Sequence, residues 1–456
     1  MGKPQSQAEM MEKLVSLSKR RGFIFPGSEI YGGLANTWDY GPLGAQLKKN
    51  LKDHWWKTFV QQRADMVGID GGILMNPKIW EASGHVETFH DPLVECKVCH
   101  KRFRADHLLS VKGIEPQGVH VSPQIEHRAA CPDCDGELTP PRAFNLMFKT
   151  FIGPAEDSTD AVYLRPETAQ AIFVNFMNVL NTTRKRLPFG IAQIGKAFRN
   201  EITPGNFTFR TLEFEQMEVE YFVEPSTWET AFEGWAAFME VWARTIGIDA
   251  RRLHRLEVLG DDLAHYSKRT IDFEFDFPFG RSELWGLAYR TDFDLTNHAK
   301  HSGERLEYTD ASDQSKKFVP HVVEPSLGVD RTMLAVLLSA YDEEALEGGD
   351  TRVVLRFTPE LAPFKAAVLP LSKKPELAEP SRALYERLLK RFPVDYDETQ
   401  SIGKRYRRQD EIGTPYCLTF DFDSLIDGAV TVRDRDSMKQ ERVKIEDLEN
   451  YLETAL

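Results

Sequence analysis

Residues 191–222 read IAQIGKAFRNEITPGNFTFRTLEFEQMEVEYF, and this stretch decides the fold. Its first eight residues are strand-like, and its last twelve alternate polar with apolar side chains. A loop holding Pro204 and Gly205 separates the two runs, which makes them an antiparallel hairpin. Side chains alternate faces along a strand, so Arg199 and Glu201 share one face. Arg210, Phe214 and Glu218 share a face on the returning strand. One sheet surface then offers guanidinium forks suited to phosphate, a ring that can stack on a purine, and carboxylates that can accept from an adenine amino group. The competing reading is a cross-strand ladder of salt bridges on a solvated face.

Two further clusters lie outside the hairpin. Residues 165–170, RPETAQ, open a helix expected over residues 168–180; a polar turn with Thr168 as N-cap would read the same way. Residues 324–331, EPSLGVDR, lead from a strand expected at 318–324 into an apolar helix at 331–339. That pattern also fits an ordinary strand–turn–helix corner.

Near the start, residues 9–21 suit a short amphipathic helix. Leu47, Leu51, Trp55 and Phe59 recur every four residues, which predicts a helix over residues 45–62. A strand is expected at 66–76, ended by Pro77. Residues 226–247 read as a helix, and residues 263–270 as a continuation of a helical insert, with a strand at 271–277. The acidic, glycine-containing stretch 343–350, EEALEGGD, predicts a domain boundary. Beyond it, strands at 353–358, 366–369 and 394–397 and a helix at 376–391 predict a small α/β domain.

Four of the five cysteines fall in an insertion at residues 95–141: Cys96-x-x-Cys99 and Cys131-x-x-Cys134, with residues 100–130 between the pairs. Two such knuckles supply four soft ligands for a tetrahedral Zn²⁺ with no open position, hence a structural site. The alternatives are two disulfides, disfavoured in a reducing compartment, or four unligated thiols. Cys417 stands apart, as a small buried hydrophobe would.

The chain has 456 residues, 57 Lys and Arg against 70 Asp and Glu, and a formal net charge of −13. That balance excludes a whole-surface grip on nucleic acid but not a local basic patch. The longest nearly apolar stretch, residues 333–340, is far short of the ~18 residues that span a bilayer. No apolar leader follows the N-terminus, so a cytoplasmic location without membrane contact is expected. A basic cluster does occur at Lys404, Arg405, Arg407 and Arg408 around Tyr406, with Arg433 and Arg435 nearby. Such clusters can hold phosphates and stack an unpaired base; a solvated helix face with Asp410 and Glu411 is the alternative.

Taken together, FRNE (198–201) with Arg210, Phe214 and Glu218 resembles motif 2 of the class II aminoacyl-tRNA synthetases. The turn carrying Arg331 resembles motif 3, and residues 45–77 resemble motif 1, which forms a dimer interface in that class. WDYGPLG (38–44), WEASGH (80–85), RPETAQ, EFEQME (213–218) and EPSLG (324–328) narrow the resemblance to the homodimeric glycyl-tRNA synthetases. Two features depart from the pattern. Only Gly328 sits close before Arg331, with Asp330 in a position usually held by a small residue. The cysteine knuckles do not occur in every member, so the zinc reading rests on spacing.

The resemblance implies an α+β catalytic domain on an antiparallel sheet at residues 1–345. It would carry the zinc-knuckle insert at 95–141 and a helical insert at about 225–290, and a C-terminal α/β anticodon-binding domain would follow at 350–456. It implies a homodimer that activates glycine with ATP as glycyl-adenylate and transfers it to the 3′ end of tRNA(Gly). Arg199, Asn200, Glu201, Arg210, Phe214, Glu283, Leu284, Gly328 and Arg331 would bind ATP. Arg199 would hold the α-phosphate, Glu201 the adenine amino group, and Arg210 and Arg331 the β/γ-phosphates, with Glu283 a ligand for Mg²⁺. Glycine has no side chain to grip, so Arg104, Glu167, Glu218, Glu324 and Ser326 would hold its charged ends. The cluster Lys404, Arg405, Arg407 and Arg408 would face tRNA. Two other readings are a class II synthetase for serine, proline or threonine, and an inactive paralogue acting as a nucleic-acid-binding module.

Overall fold

Among the residues described by the computed structural model (7–105, 108, 130–153, 160–260, 263–310, 313–346 and 348–456), seven strands make the main sheet. They are β1 (Met66–Gly68), β2 (Phe189–Phe198), β3 (Glu213–Val223), β4 (Leu253–Val258), β5 (Arg269–Phe277), β6 (Gly280–Thr291) and β7 (His321–Gly328). Their order is β4-β5-β6-β7-β3-β2-β1. Every neighbouring pair is antiparallel except β1 with β2. The hairpin read from residues 191–222 is β2 and β3, with Phe214 opposite Ala197 and Glu218 opposite Gln193.

Alternation divides this sheet into a dry face and a wet one. Met217, Val219 and Tyr221 of β3, Ile271, Phe273 and Phe275 of β5, Trp285 and Leu287 of β6, and Val323 and Leu327 of β7 all enter one hydrophobic core. Helices Pro42–Trp56, Trp228–Thr245 and Val329–Ala340 cover that face. Trp55, Phe59, Trp235 and Trp242 interlock there, with ring centroids 4.8–5.9 Å apart around Phe59. Each fully buried large apolar side chain contributes roughly 1.5–3 kcal/mol. The alternate positions, among them Gln216, Glu218, Asp272, Gly286, Glu324 and Ser326, are left on the other face.

The structure changes several sequence expectations. Residues 225–290 do not form a helical insert: one helix is followed by β4, β5 and much of β6, which complete the main sheet. Residues 263–270 are a turn running into β5, and Tyr266 packs there against Arg290. The strand expected at 66–76 stops at Gly68, before Gly71 and Gly72. The helix expected over 168–180 breaks at Asn175 into Ala169–Val174 and Phe176–Thr183.

The stretch 343–350 lies within a hairpin in which Tyr341–Ala345 pairs with Thr351–Leu355. Leu355, Phe357 and Leu361 still belong to the first core, and a second core begins at Ala366. It surrounds a mixed sheet of β8 (Ala366–Pro370), β9 (Val394–Tyr396), β10 (Tyr416–Phe420), β11 (Ala429–Asp434) and β12 (Gln440–Lys444), in the order β9-β8-β10-β11-β12. Helices Pro375–Leu388, Ile402–Ile412 and Leu448–Ala455 accompany it. No helix among the described residues is long and apolar enough to cross a membrane.

Candidate active site

The wet face of the main sheet holds a cleft of about 350 Å³. Along β3 its lining passes from Phe214 through Gln216 to Glu218, and Arg199, Glu201 and Arg210 enter from the loop joining β2 to β3. Glu283 and Leu284 come from β6, Glu324 and Ser326 from β7, and Gly328 and Arg331 from the corner after β7. Glu167 completes the lining from the turn before helix Ala169–Val174.

Three guanidinium groups bound the Phe214 part of the cleft. Arg199 donates from Nε to the Pro166 carbonyl (3.0 Å), and its guanidinium lies 5.3 Å from the ring centres of both Phe89 and Phe214. Arg199 and Arg210 enter no ion pair among the described residues, which leaves donors for an anion. Arg331 lies over the Phe209 ring at 4.4 Å and donates to the Glu283 main-chain oxygen (3.1 Å) and to its carboxylate (3.0 Å). Burial pushes the Glu283 carboxyl up, but Arg331, Arg199 and Arg210 outweigh it and hold it below the usual range. Asp272 on β5 also lines the cleft, and burial, then Glu283 and Glu274, push it up to about 7. A cation beside Glu283 and Asp272 would relieve that crowding.

Asp330 explains the unusual corner before Arg331. It is buried, and its carboxylate accepts from Tyr40, from Lys48 Nζ (2.9 Å) and from the Glu215 main-chain N–H (2.8 Å). The corner thus uses an acid where a small residue is expected, because Lys48 and Tyr40 arrive from the segment around helix Pro42–Trp56 to meet it.

Carboxylates dominate the remainder of the cleft. Glu218 accepts from Ser326 Oγ (2.8 Å) and Thr168 Oγ1, and is 2% exposed. Glu167 accepts from Gln170 (2.9 Å) and faces His85 Nε2 at 3.3 Å. His85 is braced by Ser83 Oγ at 2.8 Å, so the WEASGH stretch supports this end of the cleft. Glu324 accepts from Arg290 Nη1 (2.7 Å), and Arg290 also forks onto Asp294 (2.8 and 2.9 Å) beneath the Tyr266 ring. Burial first, opposed by Arg290 and reinforced by Glu218 and Glu167, pushes Glu324 up to about 8. For Glu167 the outcome is the opposite: burial pushes it up, but His85, then Arg290 and Gln170, together outweigh burial and hold it well below the usual range.

Two expected site residues fall outside this lining. Asn200 gives its main-chain N–H to Leu146 (2.7 Å) and its side chain does not line the cleft. Arg104 forks toward Asp91 (2.7 Å) on the small sheet formed by His90–Glu95, Arg102–Arg104 and Arg142–Asn145. Arg165, in RPETAQ, is buried and donates to the carbonyls of Lys196 and Gly71 (2.6 and 2.8 Å). A Cβ at Gly195 would come within 2.2 Å of it, so glycine there makes room for this structural arginine. Conversely, Arg290, Tyr266, Asp294 and Asp272 were missed in the sequence. The signal for Arg290 was a charge on the alternation of an otherwise apolar strand, which is rare without a buried partner.

The four knuckle cysteines converge. Their sulfurs all lie within 4.8 Å of one another, with Cys96–Cys134 at 3.5 Å and Cys99–Cys131 at 3.6 Å. These spacings are not disulfides, and all four are free thiols. The N–H groups of Cys99 and Val98 pull the Cys96 thiol down to about 6, while the neighbouring sulfurs and burial leave Cys99 and Cys134 raised. Four converging soft donors with no open position fit a structural tetrahedral metal. Much of the insert between the knuckles (106–107 and 109–129) lies outside the described residues.

In the C-terminal domain the basic cluster is largely internal. Arg405 is 2% exposed and donates to the main-chain oxygens of Pro370, Thr399 and Gln400, which corrects its expected place on a tRNA-facing surface. Arg408 is engaged by Asp397, Arg433 by Asp410, and Arg435 by Asp436 and the carbonyls of Gly413 and Phe357. Lys404 is exposed and Arg407 half-buried; neither enters an ion pair among the described residues.

The family model for the tRNA synthetase class II core domain (G, H, P, S and T) matches residues 148–340, and that for the anticodon binding domain matches residues 365–455. The chain is 57% identical to a glycine–tRNA ligase of Alkaliphilus oremlandii, over 98% of each chain. It is 55% identical to one of Geobacillus thermodenitrificans, over 99% of each, and 57% identical to one of Clostridium acetobutylicum, over 97% of this chain and 98% of that one.

Proposed function

Since the chain belongs to the glycine–tRNA ligases, with a class II core and a C-terminal anticodon-binding domain, we propose how its own side chains divide the work of that activity. The enzyme joins glycine to tRNA with ATP in two steps. The glycine carboxylate attacks the α-phosphorus of ATP and pyrophosphate leaves; a ribose hydroxyl of the terminal adenosine then attacks the carbonyl of the adenylate and AMP leaves. No protein nucleophile is needed, so the protein contributes position and charge.

Arg199 meets the α-phosphate, where negative charge grows as the bond to the leaving group breaks. Phe214 stacks under the adenine, Glu201 accepts from its amino group, and Arg210 and Arg331 hold the outer phosphates. Glu283 and Asp272 fit a Mg²⁺ that accompanies ATP and shields its phosphates. The glycine ammonium sits among Glu167, Glu218 and Glu324, with Ser326 orienting Glu218. This end is walled by strands whose opposite faces are close-packed, so it resists the expansion that a larger amino acid would require. The observation that carries the assignment is a single cleft in which phosphate-binding arginines adjoin a buried carboxylate nest.

Zinc on Cys96, Cys99, Cys131 and Cys134 would staple an insert that has little core of its own. Dimerisation through the segment around helix Pro42–Trp56 is supported by the neighbouring Ile30 and Tyr31, which are almost fully exposed. Exposed Lys404, with half-buried Arg407 beside it, is the remaining candidate pair for tRNA phosphates; a cytoplasmic location is part of the same reading.

Amino-acid-dependent exchange of pyrophosphate into ATP tests the reading against all twenty amino acids. Glycine alone should support exchange. Exchange with serine, proline or threonine would reassign the carboxylate nest, and no exchange at all would favour an inactive nucleic-acid-binding role.

A further inference from the structure

One carboxylate beside the cleft has no place in the scheme above. Glu220 lies two residues beyond Glu218 on β3, on the same face, and is fully buried. The register that pairs Glu218 with Ser326 and Tyr221 with Val323 sets Glu220 across from Glu324. Oxygens of Glu218, Glu220 and Glu324 lie within 4.8 Å of one another. Glu218 has two hydroxyl donors, Glu324 has Arg290, and Glu167 has Gln170 and His85. Among the described residues, neither Glu220 oxygen has a hydrogen-bond partner.

An ionised carboxylate in that position would be desolvated, unpaired and pressed against like charge, the costliest arrangement for a buried acid. A proton removes the charge and turns two facing acceptors into a donor and an acceptor. We propose that Glu220 is a positioning residue of the amino-acid site, carrying a proton at neutral pH and presenting it to Glu324, so that Glu324 and Glu218 keep their charge and their orientation toward the substrate ammonium.

The groups facing Glu220 decide where the proton resides. From β3 comes Glu218, from β7 Glu324, from β6 Arg290, and from the helix after β6 Asp294. Burial, then Glu324, push Glu220 well above the carboxylate range; Glu218 and Asp294 add to this and Arg290 only partly offsets it. Glu324 is also raised, even with Arg290 beside it, but only Glu324 has a cationic partner (2.7 Å from Arg290), so of the two facing acids Glu220 is the one that holds a proton without breaking an ion pair. Neutral Glu220 lowers the excess of carboxylates around one arginine, and the bound ammonium then meets a nest whose charge it can balance.

The inference rests on the assignment of Glu218 and Glu324 to the glycine ammonium, and Glu218→Gln tests that separately. If Glu218→Gln leaves the KM for glycine unchanged in pyrophosphate exchange, the assignment of the nest fails whatever Glu220 does. With that assignment intact, Glu220→Gln, a neutral isostere that can still donate, should keep the KM for glycine within about twofold. Glu220→Ala should raise it roughly tenfold or more, with the KM for ATP little changed. Difference infrared spectroscopy of the full-length enzyme at neutral pH should show a protonated carboxyl C=O band that Glu220→Gln abolishes. A Glu220→Gln variant as impaired for glycine as Glu218→Gln would make Glu220 an anion and overturn the proposal. So would a Glu220→Ala variant with unchanged KM for glycine, or a wild-type-minus-Glu220→Gln difference spectrum that contains no protonated-carboxyl band. Should Glu220→Ala fail to fold, Glu220→Gln and its infrared band decide alone.

Discussion

The arginines of the cleft and those of the C-terminal domain look alike in sequence and differ in what they touch. Arg199 and Arg210 enter no ion pair among the described residues, and Arg331 shares only the partly open Glu283. Arg405 and Arg433 are buried in their own domain, one on main-chain oxygens and one on Asp410. A guanidinium is available to a ligand only if the fold has not already satisfied its five donors. Density of positive charge along the chain says nothing about that accounting.

The contrast can be broken in three ways. Removing Arg199 (Arg199→Ala) should cost ~3–4 kcal/mol of transition-state stabilisation in glycyl-adenylate formation while leaving the melting temperature nearly unchanged. Pyrophosphate exchange beside thermal melting measures both; a destabilised protein would put Arg199 with the structural arginines. Arg405→Ala should do the reverse. Three main-chain carbonyls lose their buried donor, so stability should fall by roughly 2–3 kcal/mol, with exchange little altered in the protein that remains folded. Replacing Lys404 and Arg407 together by Gln should shallow the salt dependence of tRNA binding by up to about two phosphate contacts and leave exchange alone. An unchanged slope in a salt titration would take tRNA off that helix.

A smaller effect sharpens the electrostatic side of the comparison. The folded chain holds Asp272 protonated up to about pH 7, above its unfolded value of 3.8. Between those values the folded state binds a proton that the unfolded state does not, so Asp272 contributes stability that is lost as pH rises through the window. Thermal melting from pH 4 to 7 should therefore depend less on pH in Asp272→Asn, and Mg²⁺ with ATP should shift the wild-type profile toward lower pH.

Much of the catalytic architecture was legible in the sequence, for physical reasons. Period-2 alternation in TLEFEQMEVEYF both builds β3 and aims Phe214 and Glu218 at the cleft. The four-residue steps of Leu47, Leu51 and Trp55 foretell a buried helix face. Where the reading failed, the cause was long-range. Residues 225–290 stand apart in the sequence as a helical insert because they separate two motifs; alternation does reveal the strand at 271–277, but not that it and its neighbours complete the main sheet. The stretch 343–350 reads as a boundary by composition; it lies in a hairpin, whose turn has the same composition as a linker, and the two family models match on either side of it. Neither Arg290 with Glu324 nor Glu220 beside Glu324 can be read from spacing, because each pair exists only after strands far apart in the chain have been laid side by side. The basic cluster at 404–408 misled for the same reason: its acids, Asp397 and Asp410, and its carbonyl acceptors arrive from other elements.

The carboxylate of Asp330 has a mechanical corollary. It is the knot where three threads meet: the short strand Trp38–Tyr40, the helix carrying Lys48, and the main-chain N–H of Glu215 on β3. Arg331 is its chain neighbour, so a pull on that helix travels one side chain's length before it reaches the guanidinium proposed to hold the outer phosphates. On the roles proposed above, whatever grips that helix from outside would hold a lever on adenylate formation.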